Sequence, residues 1–119
     1  MLEQIGRDLS AGDYKQVAAS WAIPALVLSE DGAIAVANEA EVEKFFGQAA
    51  KWYHSRGLVS TRPDVERIEM LGEKLAAVDV RWPSFDADGN EKLSERSHYL
   101  VQFGADGKAR VRVGLTRTK

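Results

Sequence analysis

The sequence predicts an α+β domain in which three helices precede or flank a curved, mostly antiparallel sheet. Three observations carry this. Apolar residues recur at helical spacing up to Gly57 and at alternating spacing beyond it. Two capping signatures, Asp13 with Gln16 and Asn38 with Glu41, each open a helical stretch. Asp-Gly occurs at Asp31-Gly32, Asp88-Gly89 and Asp106-Gly107, each time between runs that read as strands. Both residue types tolerate the backbone conformations that tight hairpins demand.

In chain order, Leu2, Ile5 and Leu9 make a short helical stripe that closes at Ser10-Ala11-Gly12. Asp13 caps a second helix, with Tyr14, Val17, Ala18 and Trp21 on one face and Pro24 as its end. Residues 25–29 and 33–37 form a hairpin around Glu30-Asp31-Gly32. The helix capped by Asn38 presents Val42, Phe45, Phe46, Ala49, Trp52, Tyr53 and Arg56 on one side and stops at Gly57, the usual C-terminal glycine. Strands follow over 58–71, 74–85, 94–103 and 108–116, the first of them bent or interrupted at Pro63.

Parity fixes what these strands bury. A three-residue loop Ala105-Asp106-Gly107 pairs Tyr99 with Val113 and Val101 with Val111. One face then collects Tyr99, Val101, Phe103, Val111, Val113 and Leu115, and the other His98, Leu100, Gln102, Arg110 and Arg112. By the same rule Val78, Val80 and Trp82 point inward, and Ala77, Asp79 and Arg81 outward.

The chain has 119 residues, 45% hydrophobic and 29% charged, which fits one globular domain, 1–119. Without cysteine it has no disulfides or thiolate metal sites. The apolar stretch over 17–29 is too short to span a membrane and contains Pro24. The start Met1-Leu2-Glu3 lacks the basic opening of a secretory signal, so a cytoplasmic location is expected. The net charge of −2 divides into −7 over the first 95 residues and +5 over the last 24. That basic end reads as a solvated or pairing face, since no stacking aromatics in a recognisable motif accompany it to bind nucleic acid.

The runs "GDYKQVAASW", "EAEVEKFFGQAAKWYHSRG", "LAAVDVRW" and "RSHYLVQFGADGKARV", in this order and with this turn chemistry, resemble the nuclear transport factor 2-like superfamily, most nearly its polyketide-cyclase-like (SnoaL-like) members. The resemblance covers nearly the whole chain. It implies a cone-shaped sheet wrapped around three helices, an internal hollow, and a homodimer through the outer sheet face. The superfamily includes isomerases, dehydratases, cyclases and epoxide hydrolases beside non-catalytic assembly modules, so the fold does not fix an activity.

An aromatic set, Tyr14, Trp21, Tyr53, Trp82 and Tyr99, with Trp52 beside it, is expected to face inward, as core or as the lining of a ligand pocket. Ketosteroid-isomerase-like members use a carboxylate base with a tyrosine and a protonated acid as donors, and no such trio transfers here by motif. Glu66 is the candidate catalytic carboxylate. It shares parity with Ile68 and Met70, so an uninterrupted strand aims it at the hollow, whereas a bulge after Pro63 turns it to solvent. His54 is placed to border the mouth, and His98 falls on the outer face. Two histidines at no ligand spacing argue against a metal. The run "DADGNEK" from Asp86 starts like a calcium loop, but Glu91 stands where glycine is required and Ser97 where the bidentate glutamate belongs, so it reads as a hairpin turn. No cofactor is implied. Two readings follow: a small domain binding a compact apolar organic molecule, or an assembly module whose aromatics fill the cone.

Overall fold

The computed structural model describes residues 2–118, the last two by backbone alone, so the side chains of Arg117 and Lys119 in the basic tail lie outside it. Helix α1 (Leu2–Ala11) turns Leu2 and Ile5 into the core. Its Gly6 brings the helix onto the sheet: a Cβ there would lie 3.1 Å from Pro63 Cδ and 3.4 Å from the Trp82 ring. The backbone N–H of Thr61 donates to Ser10 Oγ at 3.0 Å and fixes the far end of the helix.

Helix α2 (Tyr14–Ala19) starts as the capping signature requires, with the Asp13 carboxylate accepting from the Gln16 N–H. It ends earlier than Pro24. Ser20 closes it, and Trp21 begins strand β1 (Trp21–Ser29), which runs straight through the proline. The cause is tertiary: the Val111 N–H donates to the Ser20 carbonyl, and Trp21 pairs in parallel with Val111. Trp21 is therefore a strand residue, buried from the sheet side.

Strand β2 (Gly32–Val36) returns through the first Asp-Gly turn, with Ser29 opposite Gly32. Helix α3 (Glu39–Ser55) is capped at Asn38, whose Oδ1 accepts the Glu41 N–H at 2.9 Å while Glu41 reaches back to the Ala37 N–H. Gly57, at φ 76°, ends it, and the Leu58 N–H donates back to the Tyr53 carbonyl. Val42 is buried on this helix, but Trp52 is 43% exposed under the Arg56 guanidinium, outside the inward aromatic set.

Pro63 divides the next run into β3 (Ser60–Thr61) and β4 (Asp64–Gly72), both paired to β5 (Leu75–Phe85). Then come β6 (Glu91–Phe103) and β7 (Ala109–Thr118). The sheet order is β2-β1-β7-β6-β5-β3, with β4 also on β5. All pairs are antiparallel except β1 with β7. Register shifts in four of the strand pairs bend the sheet around the helices. The segment starting at Asp86 is a turn, its Oδ1 accepting from the Asp88 and Asn90 N–H groups.

One of these shifts changes the last hairpin. Val101 faces Val111 as parity requires, but a bulge at Arg112 then sets Leu100 against Val113 and Tyr99 against Gly114. Val113 and Leu115 consequently lie on the outer face, and Gly114 and Thr116 on the inner. Packing explains the bulge: a Cβ on Gly114 would stand 2.9 Å from the Trp21 ring and 3.4 Å from that of Tyr99. Only a glycine opposite Tyr99 admits both rings.

The inner ladder across the sheet is Ile34, Val27, Gly114, Tyr99, Val78, Ile68. Its middle is covered by the helices and merges with the core of Leu2, Ile5, Val17, Val42, Val80 and Val111. Its β4 end is open, leaving Ile68 and Met70 exposed. The outer ladders are Ala35, Leu26, Val113, Leu100, Ala77, Glu69 and Ala33, Leu28, Leu115, His98, Asp79, Arg67.

Candidate functional site

Between the helices and the inner face of β5–β7 lies a half-open hollow of about 330 Å³. Leu9 of α1, Tyr14 of α2 and the Phe45, Phe46, Ala49 and Tyr53 side of α3 form its walls, with Leu58 and Val59 from the following loop. Its floor is the sheet: Trp82 and Ser84 from β5, Glu95, Ser97 and Tyr99 from β6, and Thr116 from β7. These floor residues share one face by strand parity, since 95, 97 and 99 alternate along β6 and Trp82 is the cross-strand partner of Glu95.

Polar groups meet on that floor in three pairs. The Tyr53 hydroxyl donates to Glu95 Oε1 in a short contact that joins α3 to the sheet. The Trp82 indole N–H donates to the Tyr99 hydroxyl at 2.9 Å. The hydroxyls of Ser97 and Thr116 lie 2.9 Å apart. Burial, then the hydrogen bond to Glu95 and the Glu95 charge, push the Tyr53 phenol well above its ordinary ionisation range. Burial also raises Tyr99, opposed by the hydrogen bonds from Ser97 and Trp82. Both phenols thus remain protonated at neutral pH. Because the Tyr99 oxygen accepts from the indole, its own hydrogen is left to donate elsewhere.

Of the residues singled out in the sequence, Tyr14, Tyr53, Trp82 and Tyr99 come together here, and His54 lies at the edge. Trp21 does not. It lines an adjoining hollow of about 170 Å³ that shares Phe45, Phe46, Tyr99 and Thr116 with the first. Its indole nitrogen is buried without a hydrogen-bond partner among the described residues.

Glu66 faces the opposite way. The irregularity between Val65 and Arg67 turns it to the outer face, where the Arg96 guanidinium holds it at 3.1 Å. The carboxylate inside the cone is Glu95, which sequence reasoning passed over. A signal for it existed, because Glu95 stands four residues before the inward Tyr99 on the same strand. His98 pairs outside with Asp79 at 2.7 Å. Among the described residues no three histidine or acidic side chains gather as a metal site. None of the described helices is long and apolar enough to cross a membrane.

Comparison with known proteins agrees with this architecture. The family model described as "NTF2-like protein (DUF6841)" matches residues 1–119. No curated protein matches the sequence. Among solved structures, a domain of unknown function with a cystatin-like fold from Nostoc punctiforme superposes with a TM-score of 0.77 at 18% identity, covering 98% of this chain and 71% of its own. A candidate calcium/calmodulin-dependent protein kinase II association domain from Xanthomonas campestris gives 0.71 at 14%, covering 98% and 81%. A ketosteroid isomerase-like protein from Erwinia carotovora atroseptica gives 0.69 at 11%, covering 94% and 85%. At such identities the structural likeness is one of fold. The chain belongs to the NTF2-like family DUF6841.

Proposed function

We propose that this NTF2-like protein is a cytoplasmic small-molecule-binding domain whose cone takes a compact, largely apolar organic molecule. The observation that carries this reading is the coexistence of an open 330 Å³ hollow with convergent polar pairs on its floor. Apolar and aromatic walls with a few placed polar groups are what a ligand site of this size requires. Tyr14, Tyr53, Trp82 and Tyr99 are its pocket residues, and Trp21 supports Tyr99 from the adjoining hollow.

The chemistry assigned to it is isomerisation, dehydration or cyclisation, the reaction types found in the polyketide-cyclase-like branch that the sequence resembles. Glu95 is the proton acceptor and Tyr99 the donor to a ligand oxygen. A carboxylate under apolar walls can take a proton from a carbon or hydroxyl, while a phenol held by an indole stabilises charge on oxygen. A ligand screen by thermal shift on wild type, Tyr99→Phe and Glu95→Gln tests the proposal. We expect oxygen-bearing hits whose shifts shrink in both variants. A screen with no hits would remove the pocket reading.

A second role is favoured by the outer face, and the two can coexist. Leu26, Val113, Leu100 and Ala77 form an apolar row across four strands. Beside it, Asp79 and Arg81 supply opposite charges near His98. A two-fold can bury that row against its copy and set these charges across the axis. We propose a homodimer through this face, as in an assembly module. Sedimentation at tens of micromolar should give a dimer, and Leu100→Asp a monomer. A monomeric wild type would end the proposal.

A further inference from the structure

We infer that β4 is a separate self-association surface, pairing edge to edge with β4 of another copy about a two-fold at Ile68. Among the described residues β4 pairs only with β5, so its other side presents free backbone N–H and C=O groups. Its inner face carries Val65, Ile68 and Met70, the cross-strand partners of Val80, Val78 and Ala76. Those three are 42%, 64% and 55% exposed, while Val80, Val78 and Ala76 beside them are buried. The apolar ladder of the sheet therefore runs out to an exposed edge.

The charges say what fits there. Edge strands commonly resist pairing through lysine or proline, and β4 has neither. Set antiparallel to itself about Ile68, the strand places Arg67 opposite Glu69 of the copy, and Glu69 opposite its Arg67. Both ion pairs lie on the outer face, and Ile68 meets its own copy on the inner one. The extra residue at Glu66 sets Val65 beside Met70 of the copy, so the inner row stays apolar across the junction. Within one chain Arg67 reaches Glu69 at 2.8 Å, but these side chains are 66% and 50% exposed and can swing across. The opposite edge, β2, offers no such selection, because Ala33, Ile34 and Ala35 carry no charge to set a register. Pairing β4 with β2 would also be head-to-tail and leave open ends, whereas β4 with β4 closes. The contact is distinct from the outer-face dimer and forms with or without it. Being small, it is the weaker of the two and fills at about 1 mM rather than at tens of micromolar.

The chain has no cysteine, so one introduced thiol reports the pairing. Ile68→Cys places two thiols across the axis, whereas Met70→Cys, on the same face, sets them several residues apart. Under mild oxidation at about 1 mM we expect Ile68→Cys to form disulfide dimers about tenfold faster than Met70→Cys. An outer-face dimer cannot give this result, since the sheet then stands between the two inner faces. Charge reversal tests the register. Ile68→Cys combined with Arg67→Glu, or with Glu69→Arg, should crosslink slowly alone. A mixture of the two should recover the rate, because every facing pair is again opposite in sign. Equal rates at the two thiol positions, or a mixture no faster than its components, would overturn the inference and leave the row to a different occupant. Should a cysteine variant fail to fold, NMR of the β4 amides in the unsubstituted chain, from about 20 μM to about 1 mM, decides alone. Shifts centred on Ile68 that grow with concentration and vanish in Arg67→Glu support the pairing, and unchanged signals refute it.

Discussion

Glu95 and Glu66 lie on the same sheet, each against a strong donor, yet in opposite surroundings. Glu95 faces inward beneath α3, with the Tyr53 phenol on its oxygen and Trp82 beside it. Glu66 faces outward, 39% exposed, in an ion pair with a guanidinium that is itself 41% exposed. Water and salt screen the outer pair, so its two charges contribute little to the fold. The inner carboxylate is partly buried under α3, and the phenol that donates to it is driven away from ionisation, first by its own burial and then by the hydrogen bond and charge of Glu95. The same contrast runs along β5–β7, where alternate residues build an aromatic floor under the half-open hollow and a half-exposed outer wall. The proposed ligand site draws on the first, and the proposed dimer on the second.

The sharpest way to break this contrast is to remove one residue from each face. Trp82→Ala takes away a buried ring and the indole that holds Tyr99, and should cost about 3–5 kcal/mol. Leu100→Ala on the outer row should cost about 1 kcal/mol in the monomer, since its side chain is already half-wet. Urea midpoints of the two variants measure the difference, and equal losses would erase the distinction between the faces.

Alkaline titration probes the inner face more gently. An ordinary phenol ionises near pH 10, and Tyr53 and Tyr99 are raised in the fold. The stability they confer is complete below pH 10 and is lost as pH climbs above it, because the unfolded chain then releases protons the fold retains. The loss is about 1.4 kcal/mol per phenol for each pH unit above 10. Tyr53→Phe should halve that slope. An unchanged slope would mean that Tyr53 is not shielded as the geometry requires.

Gly114 sharpens the comparison from the packing side. Gly114→Ala places a methyl against Trp21 and Tyr99 and should cost about 1–3 kcal/mol. It should also shift the Tyr99 ring signals in NMR. If stability and ring signals are both unchanged, the rings have room that the structure does not give them.

The smallest effects belong to exposed charges. Glu66→Gln should change stability by under about 1 kcal/mol and leave ligand shifts untouched. Asp106, at the last turn, is held at about 2 by Arg110 and by the Lys108 N–H. Its stabilising contribution is whole above the usual carboxylate range and fades as pH falls toward 2. Asp106→Asn should flatten the acid limb of the stability profile only slightly.

Much of this molecule was legible in the chain. The caps at Asp13 and Asn38, the stop at Gly57, the Asp-Gly turns and the break at Pro63 act within a few residues, and the energies that set them are local. Parity along β5 placed Val78, Val80 and Trp82 correctly because nothing interrupts that strand before Ser84. The errors share one cause. Trp21 left its helix for a parallel pairing with Val111, about 90 residues away in sequence. Val113 and Leu115 changed face because a single extra residue in a strand inverts everything beyond it, and of the two orientations open to Glu66 the fold takes the one a bulge after Pro63 gives. The sequence determined by itself the order of helices and strands and the aromatic character of the interior. That Glu66 stands outside the cone, that Gly114 rather than Val113 faces Tyr99, and that Tyr53 closes on Glu95 were decided only in three dimensions, because the bulges at Glu66 and Arg112 and the contact between α3 and β6 depend on neighbours that no local pattern records.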